Sequence, residues 1–203
     1  MTRPAPTPFV PFISGTGRTL QNLVRSIESG ALNARVCQVV ASRECPGIEW
    51  ARAQGLPAVV RQGVIPRDDL AQLMADSGAK WGVLAGYTRL LDLPDLWQSR
   101  FVNIHPALLP SFGGAGWYGD RVHRGVLEAG CKVSGCTVHL CDSTYDTGPI
   151  LAQRCCPVLD DDTPETLARR VFELECELYP EVLVRLFSGR VSIEAGRARI
   201  IPA

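Results

Sequence analysis

The sequence predicts an α/β protein: a Rossmann-like, doubly wound, mostly parallel sheet with helices on both faces. Three observations carry that expectation. Short apolar runs alternate with stretches of helical periodicity through the first half of the chain, the pattern of a parallel sheet with crossover helices. A glycine-rich turn joins the first apolar run to the first helical stretch, as in folds that bind anions at a helix start. The chain has 203 residues, 46% of them hydrophobic, enough for one α/β domain with a sizeable core.

The elements follow in order. Phe9 to Ile13 reads as a short apolar strand, and Pro11 restricts it to a strand start or a sheet edge. Gly17 to Ser29 reads as a helix, because Leu20, Leu23, Val24 and Ile27 recur at helical spacing. Arg35 to Ala41 is the second strand. Pro46 to Gln54 is a helix stopped by Gly55. Ala58 to Val60 is a strand, Arg67 to Ser77 a helix, and Trp81 to Ala85 and Phe101 to Ile104 are buried strands. Pro110 to Gly119, rich in glycine and aromatic residues, is a loop and a lid candidate. A helix from Asp120 to Ala129 follows. Val133 to Cys141 and Ile150 to Val158 are strands joined by the turn from Asp142 to Pro149. The last element is a long helix with Thr163 as its N-cap, Pro164 in its first turn, and Leu167, Val171, Leu174, Leu178 and Val182 on its buried face. The acidic run Asp160, Asp161 and Asp162 reads as a solvated loop leading into it.

Composition narrows the function classes. Twenty-one basic and 21 acidic side chains cancel, which argues against a nucleic-acid surface. No apolar run is long enough to span a bilayer. The proline-rich start, Met1 to Pro8, lacks an apolar segment of signal length, so a cytoplasmic protein is expected. The eight cysteines form no CxxC pair and no zinc-like spacing. They read as small hydrophobes in a reducing compartment, with Cys37, Cys136, Cys141 and Cys155 in strands.

Two patches carry chemistry. Asn103-Ile104-His105-Pro106-Ala107-Leu108-Leu109-Pro110 follows an apolar run, and Asp146 follows later in Tyr145-Asp146-Thr147-Gly148-Pro149-Ile150. An amide, an imidazole and a carboxylate can together stabilise an oxyanion and move a proton. Alone, Asn-x-His also fits a capped strand end whose histidine is satisfied by a backbone carbonyl. The second patch is Ser14-Gly15-Thr16-Gly17-Arg18-Thr19. Its helix-start N–H groups can hold an anion, or it can be a turn with no ligand. It is neither a full dinucleotide fingerprint, since Leu20 stands in place of the third glycine, nor a Walker loop. His139, within a strand, reads as a satisfied core histidine. His123 follows the loop and could approach a substrate, and Trp117 and Tyr118 could cover a ligand or pack the loop.

On these residues the chain resembles the folate-dependent formyltransferases, most of all the branch acting on glycinamide ribonucleotide in purine synthesis. Four patches carry the resemblance: Ser14 to Gly17 with Leu20-Gln21; Leu84 to Leu91; Asn103 to Pro106 with Leu108 to Pro110; and Ser134 to His139 leading to Asp146 to Ile150. The resemblance runs from about Phe9 to Ile193. It implies the formyltransferase fold in a single domain, 1–203, with a phosphate- and nucleotide-binding half at 1–100 and a catalytic, folate-binding half at 101–203. It implies transfer of a formyl group from 10-formyltetrahydrofolate, a co-substrate, to the amine of glycinamide ribonucleotide, with no metal. Asn103, His105 and Asp146 would be catalytic, and Gly15, Thr16, Gly17, Arg18 and Thr19 would hold the phosphate. Glu175 would bind the ribose, although a solvated helix carboxylate is the competing reading. Arg89, Leu90, Leu91, Asn103, Asp142 and Asp146 would line the folate pocket. The expected partners are these small molecules, with no nucleic acid and no membrane, and the assembly a monomer or homodimer. The alternatives are a formyltetrahydrofolate hydrolase or a transferase for another amine, such as a nucleotide-linked amino sugar. The loop from Phe112 to His123 is a few residues longer than in better-known members. An added N-terminal domain, usual in the hydrolases, is not expected before Phe9.

Overall fold

Strand β1 (Thr7–Ile13) is apolar almost throughout, with Phe9, Val10, Phe12 and Ile13 fully buried. In the computed structural model, which describes residues 4–201, it is a central strand. Met1 to Arg3, the start of the proline-rich segment, and the last two residues lie outside the described residues. Contacts divide the chain into two compact units, Met1–Val102 and Asn103–Ala203.

In the first unit the elements after β1 are α1 (Arg18–Glu28), β2 (Ala34–Val36), β3 (Val39–Ala41), α2 (Pro46–Ala53), β4 (Ala58–Val60), α3 (Arg67–Ser77) and β5 (Trp81–Leu84). All the strand pairs are parallel, and the order is β4-β3-β1-β5, with β2 also on β1. Two expectations need correction here. Arg35 to Ala41 is not one strand, and Pro11 is neither at a strand start nor at an edge. Their causes are linked. β2 pairs with β1 at Phe9↔Val36, but β3 pairs at Phe12↔Val40. One extra residue has therefore entered at Cys37-Gln38. The carbonyls of Phe9 and Ile13 accept from Cys37 and Ser42, so the odd positions of β1 face β2 and β3. Pro11 faces the same way and has no N–H to give. The ladder breaks where its donor is missing, as proline in a sheet requires.

Helices α1 and α2 close over this sheet. Ile13, Leu20, Val39, Ala41, Cys45, Ile48, Ala51 and Ala85 form one buried cluster. Leu20 and Leu23 are the buried positions of α1, as the helical spacing predicts.

Strand β6 (Phe101–His105) carries the boundary between the units. In the second unit α4 (Asp120–Glu128), β7 (Val133–Leu140), β8 (Ile150–Pro157) and α5 (Pro164–Phe187) follow. β7 and β8 are antiparallel. The fold class is thus α/β, a mostly parallel mixed sheet with helices. The chain finishes in a hairpin, β9 (Val191–Glu194) and β10 (Arg197–Ile200), which the sequence reading missed. Its signal was Ala195-Gly196, both at positive φ, a two-residue hairpin turn.

Helix α5 begins as expected. The Thr163 side chain accepts from the Thr166 N–H, and the Thr166 hydroxyl accepts from the Thr163 N–H. Asp162 departs from expectation. Its side chain is only 2% exposed. It takes two hydrogen bonds from Arg170, one from the Thr166 hydroxyl and one from the Leu159 N–H. The Arg170 guanidinium holds its carboxyl well below the usual carboxylate range. Leu174 is half-buried, while Glu175 beside it is buried. The cysteine expectation also holds only in part: Cys45, Cys136 and Cys156 are buried, but Cys155 is exposed. Among the described residues no helix is long and apolar enough to cross a membrane.

Candidate active site

In the second unit the end of β6 is held by hydroxyl and amide side chains of the β7–β8 pair. The buried Thr137 hydroxyl donates to the Ala107 carbonyl at 2.7 Å and accepts from the Leu109 N–H at 3.0 Å. Gln153 Nε2 donates to the Leu109 carbonyl at 2.9 Å and to Thr137 Oγ1 at 3.0 Å. The turn after His105 thereby has its backbone groups satisfied without a strand partner. Gly135 lets this layer close: a Cβ there would lie 2.1 Å from the Arg154 carbonyl oxygen.

Asp146 stands at the centre. It adopts φ 58°, a left-handed conformation that aspartate tolerates better than most residues. The turn that carries it is built by Asp142, which accepts from the Thr144 N–H and the Thr147 hydroxyl. Gly148 completes the turn, because a Cβ there would lie 1.9 Å from the Leu140 carbonyl oxygen. Each Asp146 oxygen has its own set of neighbours. Oδ2 accepts from the Gly114 N–H at 2.9 Å and lies 3.5 Å from His105 Nδ1. Oδ1 lies 3.4 Å from both Asn103 Nδ2 and His139 Nε2. Asn103 Nδ2 is also 3.1 Å from His139 Nε2.

The loop expected to be a lid is tied into this cluster. His105 Nε2 donates to the Phe112 carbonyl at 2.8 Å. Phe112 has φ 53°, rare for a bulky residue and a feature that gathers at functional sites. Gly113 packs against Asp146, and a Cβ there would sit 3.3 Å from the Asp146 Cβ. Trp117 stacks edge-on to Phe112 and covers Gly125, so it packs the loop down, while Tyr118 is exposed.

Electrostatics follow from burial. His105 is 4% exposed. Burial pushes its proton affinity down, opposed by Asp146 and the Phe112 carbonyl. Burial would raise Asp146, but His139, His105 and the Gly114 N–H outweigh it and hold the carboxylate below its ordinary value. His123, in the first turn of α4, is also buried. Its affinity is pushed down by burial, and its Nδ1 has no partner among the described residues. A buried carboxylate between two imidazoles, with an amide against it, can hold a proton, pass it on and donate to a developing anion.

In the first unit Gly15, Thr16, Gly17, Arg18 and Thr19 form one turn at the start of α1. Gly17 is its N-cap, at φ 72°, and no side chain caps the helix. A helix start exposes several N–H groups without intrahelical partners. The turn is fixed from below. The Gly47 N–H donates to the Gly15 carbonyl at 3.0 Å, and a Cβ on Gly17 would lie 2.8 Å from the Gly47 Cα. Ser14 Oγ accepts from the Thr88 N–H at 3.1 Å and meets Ser42 Oγ at 2.8 Å, while Arg43 Nε donates to the Ser14 carbonyl at 2.9 Å. Arg89 and Leu90, after β5, are exposed and Leu91 is buried.

The structure thus brings Asn103, His105 and Asp146 together. His139 joins them, against the expectation of a core histidine, and β8 supplies the reason. The pairing shifts by one residue between Val138 and His139, and such a bulge re-aims a side chain. Gln153 and Ser42 escaped sequence reading because hydroxyl and amide supports have no motif, while Ser14 and Thr137 lay within the quoted patches without being given a supporting role. Glu175 is not a solvated carboxylate: it is 8% exposed, and with burial it pushes the Cys136 thiol up to about 12. Among the described residues no group of three or more His, Cys, Asp or Glu could hold a metal ion.

Comparison with known proteins sets this site in context. The formyl transferase family profile matches residues 8–183. The chloroplastic phosphoribosylglycinamide formyltransferase of Arabidopsis thaliana is 39% identical over 89% of this chain, which spans 65% of that relative. The trifunctional purine biosynthetic protein adenosine-3 of Gallus gallus is 37% identical over 91% of this chain, which spans 19% of it. The chain therefore spans less than two thirds of the length of these curated relatives. The crystal structure of glycinamide ribonucleotide transformylase 1 from Symbiobacterium toebii superposes with a TM-score of 0.89 at 35% identity, covering 98% of this chain and 96% of that one. With the profile spanning most of its length and the structural match nearly complete, the chain belongs to the formyl transferase family.

Proposed function

We propose that this protein transfers the formyl group of 10-formyltetrahydrofolate to the amine of glycinamide ribonucleotide, in purine synthesis. The observation that carries the reading is the meeting of Asn103, His105 and Asp146 on one buried carboxylate. The names of the similar proteins support the choice of acceptor.

The amine nitrogen attacks the formyl carbon and forms a tetrahedral oxyanion. Asn103 donates an N–H to it, and His105, when protonated, sets a positive charge beside it. Asp146 favours the protonated imidazole and takes part in relaying the amine proton to the departing folate nitrogen, as the carbon–nitrogen bond to folate breaks. Removing one such donor costs about a hundredfold or more in turnover. The turn at Gly15 to Thr19, with Arg18 adding charge, holds the substrate phosphate. Glu175 serves the ribose. In the second unit Asn103 and the turn from Asp142 to Asp146 serve the folate, and in the first unit Arg89, Leu90 and Leu91 do. The protein works as a monomer or homodimer on small molecules in the cytoplasm and uses no metal.

The test is formyl transfer by purified protein, with and without glycinamide ribonucleotide. Folate deformylation that requires the ribonucleotide and yields formylated product is expected. Deformylation without it would mark a hydrolase, and folate binding with no reaction in either tube would redirect the search to another amine.

A further inference from the structure

His139 lies in contact with the cluster but has no part in the chemistry above. Its ring is 2% exposed, so both nitrogens must find protein partners. Nδ1 lies 2.9 Å from the Leu140 carbonyl oxygen. A carbonyl only accepts, so Nδ1 carries a proton. In the neutral ring Nε2 is then an acceptor. Two groups face it: the Asn103 amide at 3.1 Å and Asp146 Oδ1 at 3.4 Å. A protonated ring would donate to the carboxylate, the contact that helps to hold Asp146 low, whereas the neutral ring accepts from the closer amide nitrogen. The shorter contact is therefore the hydrogen bond, and it fixes which way round the Asn103 amide stands.

That orientation bears on turnover. The Asn103 amino group has two hydrogens. One is held by His139 Nε2. The other points toward Asp146 Oδ1 across 3.4 Å, near the limit of a hydrogen bond. This loosely held hydrogen is the one a developing oxyanion could take. With no acceptor at Nε2, the amide could turn end for end and present its oxygen to the reacting carbonyl, which repels an oxyanion.

We propose that His139, as the neutral Nδ1–H tautomer, is a positioning residue: its Nε2 holds one Asn103 N–H and thereby aims the other at the reacting formyl oxygen. The inference rests on the role given to Asn103 above. It concerns groups of β6, β7 and the Asp146 turn alone, all in the second unit.

Two variants separate aiming from packing. His139→Asn keeps a donor for the Leu140 carbonyl but removes the acceptor at the Nε2 position. His139→Gln can place an amide oxygen near that position. Expected is a fall in kcat of roughly ten- to a hundredfold for His139→Asn, bounded by the loss of one oxyanion donor. KM for both substrates should stay within about threefold, and His139→Gln should recover most of the loss. Equal losses in both variants, or full kcat in His139→Asn, would overturn the proposal. Asn103→Ala is measured alongside. If it retains turnover, the role of Asn103 itself fails. If it is inactive while His139→Asn is fully active, only the aiming role fails. A readout free of any variant's folding is nitrogen-15 NMR of the wild-type imidazole at neutral pH. A protonated Nδ1 with a bare Nε2 supports the proposal, and the reverse tautomer or a doubly protonated ring sinks it.

Discussion

The turn at Gly15 to Thr19 and the cluster around Asp146, proposed above as the phosphate site and the reacting centre, are held in opposite ways. The first is fixed by backbone and hydroxyls: Gly47 against Gly17, and Ser14 between Ser42 and the Thr88 N–H. The second is fixed by ionisable groups, with one carboxylate between two imidazoles. A site that binds a permanent anion needs fixed dipoles, which do not titrate. A site that moves protons must contain groups that do. The price is sensitivity to pH in the second region.

The comparison can be broken at either end. The largest effect is expected from Asp146→Asn. It removes the charge shared by His105 and His139, and kcat should fall on the order of a thousandfold, with KM for the ribonucleotide little changed. Turnover within tenfold of wild type, in steady-state assays, would remove Asp146 from the chemistry. Next comes Gly47→Ala. The new methyl would lie 2.8 Å from the Gly15 carbonyl oxygen and 2.9 Å from the Gly17 backbone, so the turn must shift. KM for the ribonucleotide should rise about tenfold or more while kcat holds better, because a weakened phosphate contact is lost from ground and transition states alike.

The third prediction concerns pH. Folding lowers the proton affinity of His105 and His123 below the ordinary value of 6.5. The unfolded chain then takes up protons before the folded one does. Stability is therefore full above that value and declines as pH falls through it toward the depressed folded values. Asp146 acts lower: its contribution is present above 3.8 and is lost as pH falls through its depressed folded value. Urea midpoints measured at pH 7.5 and 5.5 should show the decline, and a flat profile would refute it. The smallest effect belongs to Ser42→Ala, which takes one hydroxyl from Ser14 and costs about 1 kcal/mol. It should appear as a few-fold rise in KM for the ribonucleotide with the same pH profile as wild type.

Much of this was legible in the sequence, for identifiable reasons. Continuous apolar runs and helical spacing revealed most strands and the five α-helices among the described residues, since burial of a face is written in every turn. Thr163-Pro164 announced its helix because caps are local. Asn103, His105 and Asp146 could be paired across the chain through their surrounding motifs. What stayed hidden depends on contacts distant in sequence. Asp162 looked solvated because Arg170, which buries it, lies two turns into the next helix. His139 looked structural because the register shift that turns it toward Asp146 is created jointly by β7 and β8. Glu175 looked equally at home in water, and only the packing of α5 decided otherwise.

The extra residue at Cys37-Gln38 has a consequence for how the chain tolerates insertions and deletions. With it, β3 meets β1 in the phase that sets Ala41 beside Ile13, and the next step brings Ser42 beside Ser14. If β3 kept the β2 pairing of Phe9 with Val36, Ala41 would stand beside Ser14 and Ser42 would turn to the opposite face. A one-residue insertion between β2 and β3 that kept the present pairing would do the same, and would be felt as a lost hydroxyl at the base of the glycine turn. The spacing between two short strands is thus a length constraint on the first unit, and point substitutions alone would never expose it.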